Sequence, residues 1–270
     1  MLNSRPDPRS RSRMIDGFDT QRHVIGALMM RELHTRYGRE NIGYLWMIAE
    51  PMLLAGAVAA IHAGEGTHFS SDIRSVPFAI LGYCIFILFR SIVTRAESTI
   101  DSNKSLLFHR MVTIFDMLTA RALIEGAATL CTFAILILIA TALGYAGLPV
   151  RPAALVAAIF LMLWFSYAVS MLIAAVSYDN KLITKFIHPI TYLLMPASGA
   201  FYQLSWLPEP YRTWLSWFPM TQIFELARYG QFSSAKLDYV NIPYLVGTNL
   251  FLLFAGLLAI KVARRRIHLT

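Results

Sequence analysis

Charge is scarce in this chain. Only 15% of its 270 residues are Asp, Glu, Lys or Arg, while 56% are hydrophobic; soluble domains carry about 25% charged residues. That balance excludes an ordinary water-soluble domain and reads as an integral membrane protein. Cysteine is scarcer still: Cys84 and Cys131 both fall inside apolar runs, which rules out a disulfide framework as the scaffold. Metal and nucleophile chemistry lack their residue patterns. The histidines (His23, His34, His62, His68, His109, His188, His268) are scattered, with no pair at metal-ligand spacing. No Ser/His/Asp or Cys/His set can be assembled. The glycine clusters Gly64-Glu65-Gly66-Thr67 and Gly144-Tyr145-Ala146-Gly147 have neither the lysine nor the flanking strand of a phosphate-cradling loop. Carboxylates form no intramembrane series of the kind proton-coupled carriers use. Uphill movement would therefore draw its energy from another chain.

What is present is a set of long apolar runs bordered by basic loops. The net charge of +8 sits beside these runs, as the positive-inside rule and contact with anionic membrane lipids require, so nucleic acid is not an expected partner. The pattern predicts an all-α protein with six transmembrane helices at about 42–63, 76–93, 118–143, 152–176, 182–201 and 243–262. Each run is long enough to cross about 30 Å of hydrocarbon. Residues 1–19 are polar and Arg-rich and are expected as a flexible cytoplasmic tail, not a cleaved leader. Residues 20–40 predict an amphipathic interface helix: Val24, Ile25, Leu28, Met29 and Leu33 take one face, Arg22, Arg31, Glu32 and Arg36 the other. It reads equally as a membrane-surface anchor and as a docking element for a soluble partner. Residues 263–270 form a basic C-terminus.

Six spans place both termini on one side, and basic residues say which. With cytoplasmic termini, the inner segments carry the arginines of the first 40 residues, then Arg90, Arg95, Lys104, Arg110 and Arg121, then Lys181 and Lys185, then Lys261 and Arg264–Arg266. The outer segments carry only Arg74, Arg151, Arg212, Arg228 and Lys236. Between the second and third spans, Ser98–Ser105 supplies N-cap residues ahead of Leu106-Leu107-Phe108, predicting a short helix along the inner surface. Near the inner end of the third span, Arg121 is close enough to pair with Asp116 or Glu125. The last outer loop, 202–242, is rich in aromatics and proline, too broken to span and too apolar to be free. A re-entrant or periplasmic helical segment is expected there, with a helix over Thr221–Arg228 capped by Thr221 and braced by Glu225 and Arg228 at i, i+3.

Glu50 interrupts the first span, next to Pro51. A carboxylate at that depth costs about 2.5–3.5 kcal/mol on the translocon scale and should face protein or water. It reads as a group on a route through the membrane or at a dimer interface, or as a hydrogen bond joining two helices.

Arg31-Glu32-Leu33-X-Thr35-Arg36-Tyr37-Gly38, then Leu45-Trp46 and Glu50-Pro51, resemble the start of the permease subunit of type-2 ABC exporters. The chain is most similar to the capsular polysaccharide export permeases of the KpsM type. The segment Phe218-Pro219-Met220-Thr221-Gln222-Ile223-Phe224-Glu225-Leu226-X-Arg228-Tyr229-Gly230 resembles the family's Asn-Pro-Leu…Glu-Leu-X-Arg-X-Gly pattern, with Phe218 in place of Asn. The resemblance implies a homodimer in the bacterial inner membrane, with ATP and Mg bound by a separate cytoplasmic ATPase subunit and no cofactor on this chain. It also implies a lipid-linked acidic polysaccharide as substrate, with periplasmic and outer-membrane export proteins continuing the path. By the same resemblance, Arg31, Arg36, Ser98, Asp101, Lys104, Leu107, Phe108 and Arg110 fall in the ATPase-docking elements. A conduit for sugar polymer suits aromatic faces among polar groups: Tyr44, Trp46, Glu50, Tyr192, Phe201, Tyr202 and Trp206. The interfacial aromatic belt accounts for such rings as well, and for Trp214 and Trp217. O-antigen, teichoic-acid or small-amphiphile export is the alternative. A membrane-embedded glycan-modifying enzyme would need clustered carboxylates with a metal, and a secondary carrier would need similar halves; the sequence offers neither.

Overall fold

The computed structural model describes residues 8–37, 43–63, 72–107 and 112–267, and these are 82% helical overall. Helix α1 (Pro8–Tyr37) precedes α2 (Gly43–Ala63) and α3 (Ser75–Ala96). Two short turns, α4 (Thr99–Ser102) and α5 (Lys104–Leu107), lead to α6 (Ile114–Ala142), α7 (Pro152–Asp179) and α8 (Lys181–Ala197). After a 3-10 turn at Leu204–Trp206 come α9 (Tyr211–Ser216), α10 (Pro219–Gln231) and α11 (Ile242–Ile267). Four of these, α3, α6, α7 and α11, are long and apolar enough to cross a membrane. The expected fifth span is shorter than the sequence suggested: α8 has 17 residues and ends at Ala197, about 26 Å at 1.5 Å per residue.

Helix α7 is the hub, packed against α11, α10 and α3; α2 lies on α3 and α6, and α1 on α6. Helix α3 is buried along nearly its whole length, from Val76 through Phe89 to Ala96. A helix buried on nearly all sides is apolar over most of its surface, which is why periodicity alone says little about its neighbours.

Local signals set the boundaries. Helix α6 begins at Ile114, four residues before the expected span, because Thr113 and Asp116 form a capping box: Thr113 Oγ1 accepts from the Asp116 N–H and Asp116 Oδ2 accepts from the Thr113 N–H at 3.0 Å. Asn180 alone separates α7 from α8, its Oδ1 accepting the Leu182 N–H at 2.9 Å. Helix α10 starts at Pro219, not Thr221, since proline suits the first helical position; Thr221 is buried in its first turn. Helix α1 reaches back to Pro8, so part of the segment expected as a flexible tail is helical. The single surface helix expected before residue 108 is instead two four-residue turns, broken at Asn103.

Candidate functional site

At the end of the bundle carrying α10, the i, i+3 pair expected from sequence is a buried lock. Arg228 is 0% exposed and donates from Nη1 to Glu225 Oε1 at 3.0 Å. Its Nη2 donates to the carbonyls of Gly199 and Ala200, just past α8. Glu225 Oε1 also accepts the Leu204 N–H at 3.0 Å. The guanidinium lies 4.5 Å from the Phe78 ring centroid, and Trp206 stacks on the same ring at 5.4 Å. One side-chain pair thus ties α10, the segment after α8 and α3 together. Two glycines make the approach possible. Gly199 holds φ +90°, and a Cβ on Gly230 would stand 2.6 Å from the Leu155 backbone nitrogen in α7. The Glu-Leu-X-Arg-X-Gly pattern is therefore structural: Arg228 is neither a loop charge nor a substrate contact.

A second brace lies close by. Asp72 Oδ2 accepts the N–H groups of Ser233 and Ser234 at 2.7 and 2.9 Å, and the Ser233 hydroxyl at 2.6 Å. Burial pushes its carboxyl upward, but the hydrogen bonds from Ser233 and Ser234 outweigh this and hold it well below the usual carboxylate range. A depressed native value means stabilisation that is whole above about pH 4 and lost as pH falls below it. Asp72→Asn is expected to lower the melting temperature by about 2–4 °C at pH 7. The gap to the native chain should narrow steadily as pH falls from about 4 to about 2, as thermal unfolding in detergent at those pH values would read.

At the opposite end, α1 is pinned to the bundle. Arg121 Nε pairs with Glu32 Oε1 at 3.1 Å, and its Nη1 donates to the Arg95 carbonyl at 2.8 Å and to Thr99 Oγ1 at 2.7 Å. Arg121 was expected to pair with Asp116 or Glu125. Glu125 pairs with Arg95 at 3.0 Å, and Asp116 accepts from Gln21 Nε2 at 3.0 Å. Arg31, itself exposed, donates to Asn103 Oδ1 at 3.0 Å, so Arg31 and Glu32 both brace the elbow. Lys104 pairs with Asp101 at 3.0 Å, Ser98 is exposed and Leu107 packs half-buried against α1 and α6 residues. Phe108, Arg110 and the side chains of Arg36, Tyr44 and Trp46 lie outside the described residues.

Between these ends runs a polar seam. On α3 and its C-cap, Tyr83, Arg90, Thr94 and Glu97 recur at i, i+7, i+11 and i+14, which places them on one face. On α8, Lys185, His188 and Tyr192 form a second stripe, apart from the apolar stripe of Leu182, Phe186, Ile190 and Leu193. The two polar stripes touch: Arg90 lies 3.8 Å from the Tyr192 ring centroid, and His188 Nε2 is 3.3 Å from Glu97 Oε1. Helix α2, which carries Glu50, packs on α3 beside this seam. On α2, Glu50 shares its exposed face with Leu53, Leu54, Ala57 and Ile61, a face that this chain's own bundle leaves uncovered.

Among the described ring residues expected along a conduit, the structure brings Tyr192 to this seam. Phe201 packs on the core, Tyr202 donates from its hydroxyl to the Ala197 carbonyl at 3.0 Å, and Trp206 belongs to the Phe78–Arg228 stack. Arg90, Glu97, His188 and Tyr83 were missed. Their spacing within an otherwise apolar run was the available signal, but Arg90 had been counted as a loop charge.

A chain with this bundle and this lock matches the family described as ABC-2 type transporter over residues 23–232. It belongs to that family. The matched region takes in the Arg31-Glu32 brace, the seam and the Glu225–Arg228 lock. Among similar proteins, the capsule polysaccharide export inner-membrane protein CtrC of Neisseria meningitidis serogroup B is 35% identical, over 88% of this chain and 89% of its own length. The capsule polysaccharide export inner-membrane protein BexB of Haemophilus influenzae is 32% identical, over 89% and 91%. The polysialic acid transport protein KpsM of Escherichia coli is 28% identical, over 89% and 93%. These proteins match over most of their length, so the likeness is to nearly whole chains and not to a shared fragment.

Proposed function

We propose that this chain is the membrane subunit of an ATP-driven exporter that moves a lipid-linked acidic capsular polysaccharide across the bacterial inner membrane. The observation that carries the reading is the near full-length likeness to three capsule-export membrane proteins. The seam gives it a physical route. Charged and ring-bearing side chains on the faces of α2, α3 and α8 are costly against lipid, at about 2.5–3.5 kcal/mol per mid-span charge. They suit a wet surface along which hydroxyls and flat C–H faces pass.

In this reading α2 and α8 join the four apolar helices to make six spans, both termini are cytoplasmic, and α9–α10 form the re-entrant segment on the periplasmic side. Two copies face each other across α2 and α8, which covers the open face bearing Glu50. The α1–α4–α5 end meets a separate cytoplasmic ATPase, where ATP and Mg reside, and periplasmic and outer-membrane proteins carry the polymer onward. The basic residues favour this orientation more strongly than simple counting implied, because Arg228 on the outer side is a buried structural cation.

Deleting the gene should abolish surface polymer while cytoplasmic polymer accumulates; surface polymer at the parental level in the deletion strain would refute the reading. A finer test is Glu50→Leu. Membrane insertion should be retained, since an insertion penalty of about 2.5–3.5 kcal/mol is removed, while surface polymer and the yield of dimer in gentle detergent fall severalfold. Parental polymer and dimer in that variant would remove Glu50 from the route.

A further inference from the structure

Arg90 is the cation of the seam whose place the fold leaves unexplained. One face of its guanidinium lies on the Tyr192 ring, 3.8 Å from the centroid. Its Nε is shut away from solvent, yet it has no hydrogen-bond partner among the described residues. Stacking uses the face of the guanidinium and not its in-plane N–H groups, whose Nη side is an edge that can receive two oxygens of a carboxylate or phosphate. Neither acid of the seam pairs with it among the described residues. Glu97, just past the end of α3, engages His188 through Oε1 while its Oε2 is likewise buried without a partner among the described residues, and Glu50 sits on the exposed face of α2. Arg90 lies six residues before the end of α3, about 9 Å in from the α1 end. Tyr192 is 57% exposed, so the pair is open to the uncovered side of α8.

We propose that Arg90, held flat by Tyr192, is an anion-binding subsite that grips an acidic oxygen group of the exported amphiphile near the cytoplasmic entrance of the seam. This rests on the export reading above. The acidic group is a sugar carboxylate or the phosphate of the lipid anchor, and both offer the paired oxygens the guanidinium edge accepts. Tyr192 is a positioning residue: it fixes the plane of the guanidinium and does not itself bind the anion.

The test uses the full chain, purified with whatever subunits accompany it, in nanodiscs. One arm titrates oligogalacturonate, which bears carboxylates but no lipid, into phosphatidylcholine discs. A second varies phosphatidic acid against phosphatidylcholine in the disc and measures lipid retained on the protein. Maltoheptaose is the neutral control. Arg90→Gln should weaken at least one anionic probe about tenfold and leave maltoheptaose unchanged; the affected arm names the source of the anion. Arg90→Lys should recover part of the loss, because charge returns without the planar fork. Tyr192→Ala removes an exposed ring without touching the core, and should weaken the same probe severalfold where Tyr192→Phe does not. If both arms bind Arg90→Gln, or a folded Tyr192→Ala, as tightly as the native chain, the subsite is wrong. That result leaves the export reading standing, because the deletion strain decides it separately.

Discussion

Arg228→Leu is expected to remove nearly all folded protein from the membrane. The substitution strands Glu225, a buried carboxylate left with only the Leu204 N–H, and orphans the carbonyls of Gly199 and Ala200. Breaking a buried ion pair from one side costs about 3–5 kcal/mol, a large share of the roughly 5–15 kcal/mol that holds a domain together. Size-exclusion of a fluorescent fusion should show the monodisperse peak reduced at least tenfold. Arg228→Lys should fall between the two, because an ammonium cannot reach three acceptors in the guanidinium's fork. Leucine at both 225 and 228 should recover part of the peak, since an apolar pair leaves no buried charge, although the freed backbone groups keep it below the native level. A native peak for Arg228→Leu would show that Trp206 and Phe78 close this corner without the pair.

That corner also shows what the sequence made legible. The i, i+3 spacing of Glu225 and Arg228 was readable because a helix brings such positions together wherever it lies. The four long apolar spans were readable for a similarly local reason. Hidden were the partners from elsewhere in the chain. Arg121 bonds to Glu32, 89 positions away, because α1 folds across α6. Trp206 looked like a conduit ring from composition; its stacking on Phe78 depends on how the segment after α8 turns, and aromatic content does not encode that. The seam was half-visible. Glu50 and Tyr192 stood out as misfits in apolar runs, whereas Arg90 and Glu97 hid at the edge of a basic loop. Only the register of α3 against α8 shows that Arg90 faces a ring and not water.

Arg121→Leu should separate the docking end of the molecule from its spans. The guanidinium meets Glu32 on α1, the Arg95 carbonyl at the end of α3 and Thr99 at the start of α4. Its side chain is only 14% exposed and that of Glu32 18%, so the pair belongs nearer the buried regime than the surface one. Its loss should cost about 3 kcal/mol, the low end for a buried pair. Glu125 stays neutralised by Arg95 at 3.0 Å and α6 keeps its own capping box, so insertion and the spans should survive. What fails is the fixed angle between α1 and the α4–α5 elbow. If an ATPase binds across both, its co-purification with the Arg121→Leu chain should drop at least tenfold, and surface polymer with it. Glu32→Gln should be milder, because two of the guanidinium's acceptors remain and the amide oxygen can replace the third. Native co-purification and export in Arg121→Leu would mean that the partner grips one element alone, and that the brace serves only the fold.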